Sequence, residues 1–266
     1  MIQQALAEEA AKDPELARYY ELHGRLLRLR DEARSGIRAA LENPKNDVLE
    51  ARLDEGKPLI DFSLLPIQAE RFAELATSIA HVLREFGVGV ADAPLPDDTS
   101  EWLALARERF ERGQALTAQC TPVLEGTLPE AAADLALGPY LGWAAERLLP
   151  LVDLATWKRG ACPACGGAPD FAVLDEETGS RQLMCSRCAS LWPFRRLGCP
   201  FCGTTEHTKI AYHISEDGAY RLYFCRECLR YLKTLDQRQA ASDVSLPLER
   251  IRTLPMDLAA REEGYT

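Results

Sequence analysis

Eight of the nine cysteines lie between Cys162 and Cys228 as four CxxC pairs: Cys162/Cys165, Cys185/Cys188, Cys199/Cys202 and Cys225/Cys228. Two thiolates separated by two residues can face one ion from a tight knuckle, and two knuckles complete a tetrahedral tetrathiolate site. Four knuckles therefore imply two ions.

Cys162-Pro-Ala-Cys-Gly166 and Cys199-Pro-Phe-Cys-Gly203 share the form Cys-Pro-x-Cys-Gly, so each opens a repeat unit. The glycine accommodates the left-handed turn that lets backbone N–H groups approach the thiolates. In the first unit, strands over Phe171 to Leu174 and Arg181 to Met184 flank a turn, and Leu191 to Phe194 follows as a third run. In the second, Thr208 to Ile214 and Ala219 to Phe224 flank Glu216-Asp217-Gly218, and Leu229 to Leu235 is the third run. This layout predicts two tandem zinc-ribbon or rubredoxin-like modules, with each unit's own pairs sharing an ion. Cross-braced pairing is the competing topology. Units this small bury little apolar surface, so metal binding supplies much of their folding free energy, about 10 to 16 kcal/mol per structural ion.

Three other readings fit less well. Disulfides suit an oxidising compartment, whereas Met1 to Lys12 has no apolar leader core. A thioredoxin-like dithiol needs one CxxC at a helix start, not four on hairpins. Iron–sulfur clusters use different spacings.

At 266 residues, 47% hydrophobic and 27% charged, the chain is long enough for a sizeable core beyond the cysteine block, and no apolar run reaches membrane-spanning length. The cytoplasm is the expected compartment. The net charge of −10 is uneven: residues 1–157 hold 16 basic and 27 acidic side chains, residues 158–240 hold 12 and 9. An acidic front half opposes phosphate binding, which weighs against a nucleic-acid partner.

The first ~155 residues read as an all-helical domain of ordinary single-core size. Asp13-Pro14-Glu15 opens a long amphipathic helix that ends near Asn43 to Asn46, and Asp47 to Leu53 adds a short one. The stripe Phe72, Leu75, Ile79, Val82, Leu83, Phe86 marks a helix over Pro66 to Phe86 with Gly87 as its stop. Ser100 is placed to cap a helix to about Ala118, and Gly138-Pro139 should split Leu128 to Pro150 into two helices. No catalytic constellation is visible there. His23, His81 and the unpaired Cys120 read as ordinary helix-face or core residues, and His207 and His213 as ribbon residues rather than ligands. Arginines and aromatics near the knuckles offset the negative tetrathiolate sites or face solvent; the competing use is partner docking, for which Arg187, Trp192, Arg195, Arg221 and Tyr231 are the candidates.

These residues resemble the formate dehydrogenase accessory proteins of the FdhE type. The likeness includes Gly56-Lys57-Pro58-Leu59, the Leu135 to Leu149 segment and Trp157. It continues through Cys162 to Pro169, Cys185-Ser-Arg-Cys188, Trp192, Arg195, Cys199 to Gly203, Cys225-Arg-Glu-Cys228 and Tyr231-Leu-Lys233, and ends with Met256 to Ala260 and Gly264-Tyr265. The resemblance implies a cytoplasmic assembly factor, not an enzyme, that binds the catalytic subunit of a molybdenum- or tungsten-dependent formate dehydrogenase, with iron (or zinc) on the cysteines.

The expectation is an α+β multidomain chain. Its helical domain covers 1–156, its two rubredoxin-like modules 157–197 and 198–240, and its C-terminal tail, packed back on the fold, 241–266. Alternative functions are a zinc-ribbon nucleic-acid-binding protein and a rubredoxin-like electron carrier. Closed four-thiolate sites leave no open position for substrate, which agrees with a non-enzyme, although iron would permit a redox role in maturation.

Overall fold

The computed structural model describes residues 2–38, 44–88, 91–115, 126–240 and 244–266. Cys120, the tail of the Ser100 helix beyond Ala115, and Asn43 lie outside them. Six helices come first: α1 (Ile2–Lys12), α2 (Ala17–Gly36), α3 (Asn46–Asp54), α4 (Ala69–Phe86), α5 (Thr99–Ala115) and α6 (Leu128–Leu148). The stripe read in α4 is its buried face, with Phe86 at its end half-buried, and Gly87 closes the helix at φ 64°, donating its N–H to the carbonyls of Leu83 and Arg84. A capping box of Thr127 and Glu130 starts α6.

Four details depart from the sequence reading. The helix α2 stops at Gly36, with Ile37 already extended, short of the expected end near Asn43 to Asn46. The helix α1 precedes Asp13, whose carboxylate accepts from the N–H groups of Glu15 and Leu16 and turns the chain into α2. Asp98, not Ser100, caps α5, accepting from the N–H groups of Ser100 and Glu101. The helix α6 runs unbroken through Gly138-Pro139. Packing overrides the proline there, because α6 is buried on nearly all sides by its neighbours. Its small residues also admit long side chains from α2: Arg30 crosses Gly138 and Arg34 crosses Gly142, four residues apart on both helices. Arg34 donates to the Pro139 carbonyl at 3.0 Å and pairs with Glu146.

The strands are β1 (Pro169–Leu174), β2 (Arg181–Cys185), β3 (Leu191–Phe194), β4 (Ile210–Ile214), β5 (Tyr220–Cys225) and β6 (Arg230–Asp236). They form one sheet in the order β3-β2-β1-β6-β5-β4. Each ribbon supplies three antiparallel strands, and the two ribbons join where β1 lies parallel to β6, with Phe171 opposite Lys233 and Leu174 opposite Asp236. These joining strands are the most continuously buried, as strands covered on both faces must be.

Two short helices end the chain, α7 (Leu246–Arg252) and α8 (Leu254–Glu262). Leu248 and Ile251 pack with Leu6 and Tyr20, while Ala260 packs with Leu222, Phe224 and Tyr231, so the tail touches both α1–α2 and the sheet. The main core is continuous from Leu26 and Leu83 in the helices to Cys162, Cys165, Cys185, Cys188 and Trp192 in the first ribbon.

Candidate metal centres

Every knuckle closes by the same backbone turn. The N–H of the residue after the second cysteine donates to the carbonyl of the first: Gly166 to Cys162, Ala189 to Cys185, Gly203 to Cys199 and Leu229 to Cys225, at 2.9 to 3.1 Å. All four closing residues have left-handed φ, 75° and 78° at the glycines, 60° at Ala189 and 56° at Leu229. The opening glycines were legible in the sequence; the same requirement at Ala189 and Leu229 was not, since neither residue type signals it.

The turns gather the sulfurs into two groups of four among the described residues, Cys162/Cys165/Cys185/Cys188 and Cys199/Cys202/Cys225/Cys228, each with its sulfurs within 4.8 Å of one another. Sequential pairing therefore holds and the cross-braced alternative does not. Within the groups, Cys162 and Cys188 stand 3.6 Å apart, Cys165 and Cys185 3.4 Å, Cys199 and Cys228 3.6 Å, Cys202 and Cys225 3.7 Å. A disulfide would need about 2 Å. A tetrahedron with metal–sulfur bonds of about 2.3 Å has edges of roughly 3.8 Å, so the donor sets fit a tetrathiolate ion. Such a set suits zinc and iron alike.

The first centre lies inside the molecule. All four of its cysteines are buried. The backbone N–H groups of Leu59 and Ile60 donate to the carbonyls of Pro163 and Ala164 at 2.8 Å, so the Gly56 to Ile60 connector lies along the opening knuckle. A methyl at Gly142 of α6 would sit 3.2 Å from the Cys188 carbonyl, and Arg187 reaches α5, donating to the Arg109 carbonyl and lying over Phe110. Arg187 N–H faces Cys185 Sγ at 3.4 Å. Burial pushes the Cys162 thiol well above its usual range, with the neighbouring thiols adding to it. A dication inverts that preference by stabilising thiolates. Positive charge is already near: Arg250, ion-paired with Asp170, lies within electrostatic reach of Cys185, and Arg30 of Cys188. Burial lowers Arg30 to about 10.

The second centre lies in the second ribbon, formed by the knuckle before β4 and the turn between β5 and β6. Cys202 is exposed and Cys228 partly so, while Cys199 and Cys225 are buried. Burial pushes Cys199 up to about 11 against N–H groups of Cys202 and Phe201. Burial also raises Cys202, but hydrogen bonds from Thr204 N–H and the other thiols outweigh it and hold that thiol below the usual range. Arg230 stacks over Phe201 at 4.2 Å. Arg181 donates to the Arg195 and Gly198 carbonyls at 2.6 Å, fixing the chain that enters the knuckle.

Of the residues singled out for docking, Trp192 is buried and donates to the Arg159 carbonyl, and Tyr231 is buried with its hydroxyl donating to Asp257. Arg221 pairs with Asp236 at 2.6 Å, and Arg187 is turned towards α5. Arg195 is exposed, over the ring of Phe194. The tail contributes a buried polar cluster with no motif to announce it: Lys233 pairs with Asp257 at 2.6 Å beside His23 and Tyr19 of α2. His213 lies on β4 and His207 in a short 3-10 turn; neither joins a sulfur cluster.

Residues 161–196 match the family model described as FdhE, central domain, the stretch that holds the first centre. A protein from Aquifex aeolicus named "Protein FdhE homolog" is 34% identical over 114 residues, 41% of this chain and 40% of that protein. The matched part thus spans less than half the length of the first relatives. A Shewanella baltica protein of the same name is 25% identical over 96% of this chain and 81% of its own length. The crystal structure of the FdhE protein from Pseudomonas aeruginosa superposes with TM-score 0.64 at 23% identity, covering 100% of this chain and 91% of that one, which shows the shared fold.

Proposed function

We propose that this chain is an FdhE-type accessory protein that binds the catalytic subunit of a formate dehydrogenase during its maturation in the cytoplasm and catalyses no reaction itself. The observation that carries the reading is the pair of closed sulfur tetrahedra, each with four cysteines converging on one point and no place left for a substrate. Cys162, Cys165, Cys185 and Cys188 would hold one ion and Cys199, Cys202, Cys225 and Cys228 the other. The bound ion supplies cross-linking of the knuckles, and iron would add one-electron chemistry for a maturation step.

The chain's own residues shape the surface that a partner would meet. Arg181 orients the segment from Arg195 to Gly198, which displays exposed Arg195, Arg196 and Leu197 beside the second centre. An exposed arginine next to an apolar side chain suits protein docking. Arg181, Arg187 and Arg221 are engaged internally, which leaves fewer ribbon arginines free for phosphates and, with the acidic front half, disfavours nucleic-acid binding. Among the described residues, no helix is long and apolar enough to cross a membrane.

The test is co-purification of the full chain with a tagged, immature formate dehydrogenase catalytic subunit. Wild-type protein should be retained, and an Arg195→Glu, Leu197→Asp double variant that keeps both metals should be retained at least about tenfold less. Equal retention of the double variant would remove the docking surface, and no retention of wild type would remove the function.

A further inference from the structure

We propose that the second centre is a metal-exchange site, with Cys202 as the ligand that opens, while the first centre holds its ion permanently. The two sites have the same donors and the same knuckle turns, so their difference is one of access. Around the first centre, every cysteine is buried in the main core, between α5, α6 and the Gly56 to Ile60 connector. Exposing one of its sulfurs requires the helices to part from the ribbon, which breaks the main core. Around the second, Cys202 is exposed and Cys228 partly so, and Leu229, next to Cys228, is 53% exposed. On that side the Thr266 N–H donates to the Leu229 carbonyl at 2.8 Å. Leu197, two residues before Cys199, is 65% exposed.

An incoming soft donor, such as a thiolate or a chelator nitrogen, can therefore reach an ion at the second centre from solvent. Its lone pair forms the new metal bond, the bond to Cys202 Sγ breaks, and the thiolate leaves with its electron pair and takes a proton from water. No electrons are transferred. The same displacement at Cys228 and then at the buried Cys199 and Cys225 completes release, and the reverse sequence admits a new ion of the same class, a soft divalent cation such as zinc or ferrous iron. Opening a surface knuckle needs only a local fluctuation, whereas the core site must wait for the cooperative one.

The full chain loaded with two equivalents of zinc and challenged with an excess of a chromophoric chelator should release its metal in two phases of one equivalent each, the fast one at least about tenfold faster. In Cys202→Ser the fast equivalent should be gone or faster still, with the slow phase unchanged. Iodoacetamide labelling of the wild-type zinc protein, followed by mass spectrometry, assigns the phases without any variant: Cys202 and Cys228 should be alkylated with the fast release. Release of both ions at one rate would overturn the proposal, as would labelling of Cys162, Cys165, Cys185 or Cys188 with or before Cys202.

Discussion

Gly160 faces the carbonyl oxygen of Pro200 so closely that a methyl group on its α-carbon would lie 1.7 Å from that oxygen. The short segment before the first knuckle is thereby pressed against the opening of the second. Trp157 and Trp192 hold the same segment, donating to the carbonyls of Ala161 and Arg159. Since the obstructing atom is backbone, it cannot rotate aside. Gly160→Ala should cost about 2 kcal/mol or more and loosen the second centre before the first. Chemical denaturation of the metal-loaded variant measures the first effect and its metal content the second.

Leu229 and Gly203 close equivalent turns of the second centre, both with positive φ; a methyl group at Gly203 would meet nothing within 4 Å, and Leu229 is 53% exposed. A left-handed conformation costs an L-residue roughly 1 to 2 kcal/mol, and glycine in the unfolded chain costs about 0.5 to 1 in entropy. Leu229→Gly should thus be neutral or stabilising by up to about 1 kcal/mol, and Gly203→Ala destabilising by about 1 kcal/mol. Opposite signs in Tm are the expected result; equal losses would mean the Leu229 side chain contributes packing.

His23 is held at about 4 by burial, with the charges of Arg250, Lys233 and Arg30 adding to it. Its ring lies 4.2 Å from that of Tyr19. In the unfolded chain it titrates near 6.5, so above that pH both states are neutral there and nothing is lost. As pH falls from 6.5 to 4, the unfolded chain binds a proton that the native chain refuses, and stability drops by up to about 3 kcal/mol. Metal loss contributes its own acid dependence, so the measure is a difference: His23→Gln should show a shallower fall than wild type across this window, with the two curves parallel above pH 7.

Loss of either ion should have unequal consequences. The first centre shares the core with Leu83, Leu137 and Leu141, so Cys165→Ser should destabilise the whole chain by more than about 4 kcal/mol and lower the helical circular dichroism transition with it. Cys202→Ser should cost roughly half of that or less and leave the helical transition in place. Matching losses of Tm in the two variants would argue against the asymmetry.

What the sequence determined by itself was local chemistry. Eight cysteines at two-residue spacing dictate knuckles, the repeated Cys-Pro-x-Cys-Gly dictates which pairs close together, and short alternating runs between them dictate hairpins. The amphipathic stripe of α4 and its glycine stop were legible for the same reason, since each is a relation among residues close in the chain. Tertiary structure alone decided the rest. Pro139 sits in a continuous helix because α6 is enclosed by its neighbours; Ala189 and Leu229 take glycine's conformation because the metal turn demands it. The ribbons merge because β1 and β6, some sixty residues apart, find each other as parallel partners. The same packing buries one of two chemically identical sulfur tetrahedra and leaves the other open to water at Cys202 and partly at Cys228, a difference set by what lies above each site and absent from the spacing of its cysteines.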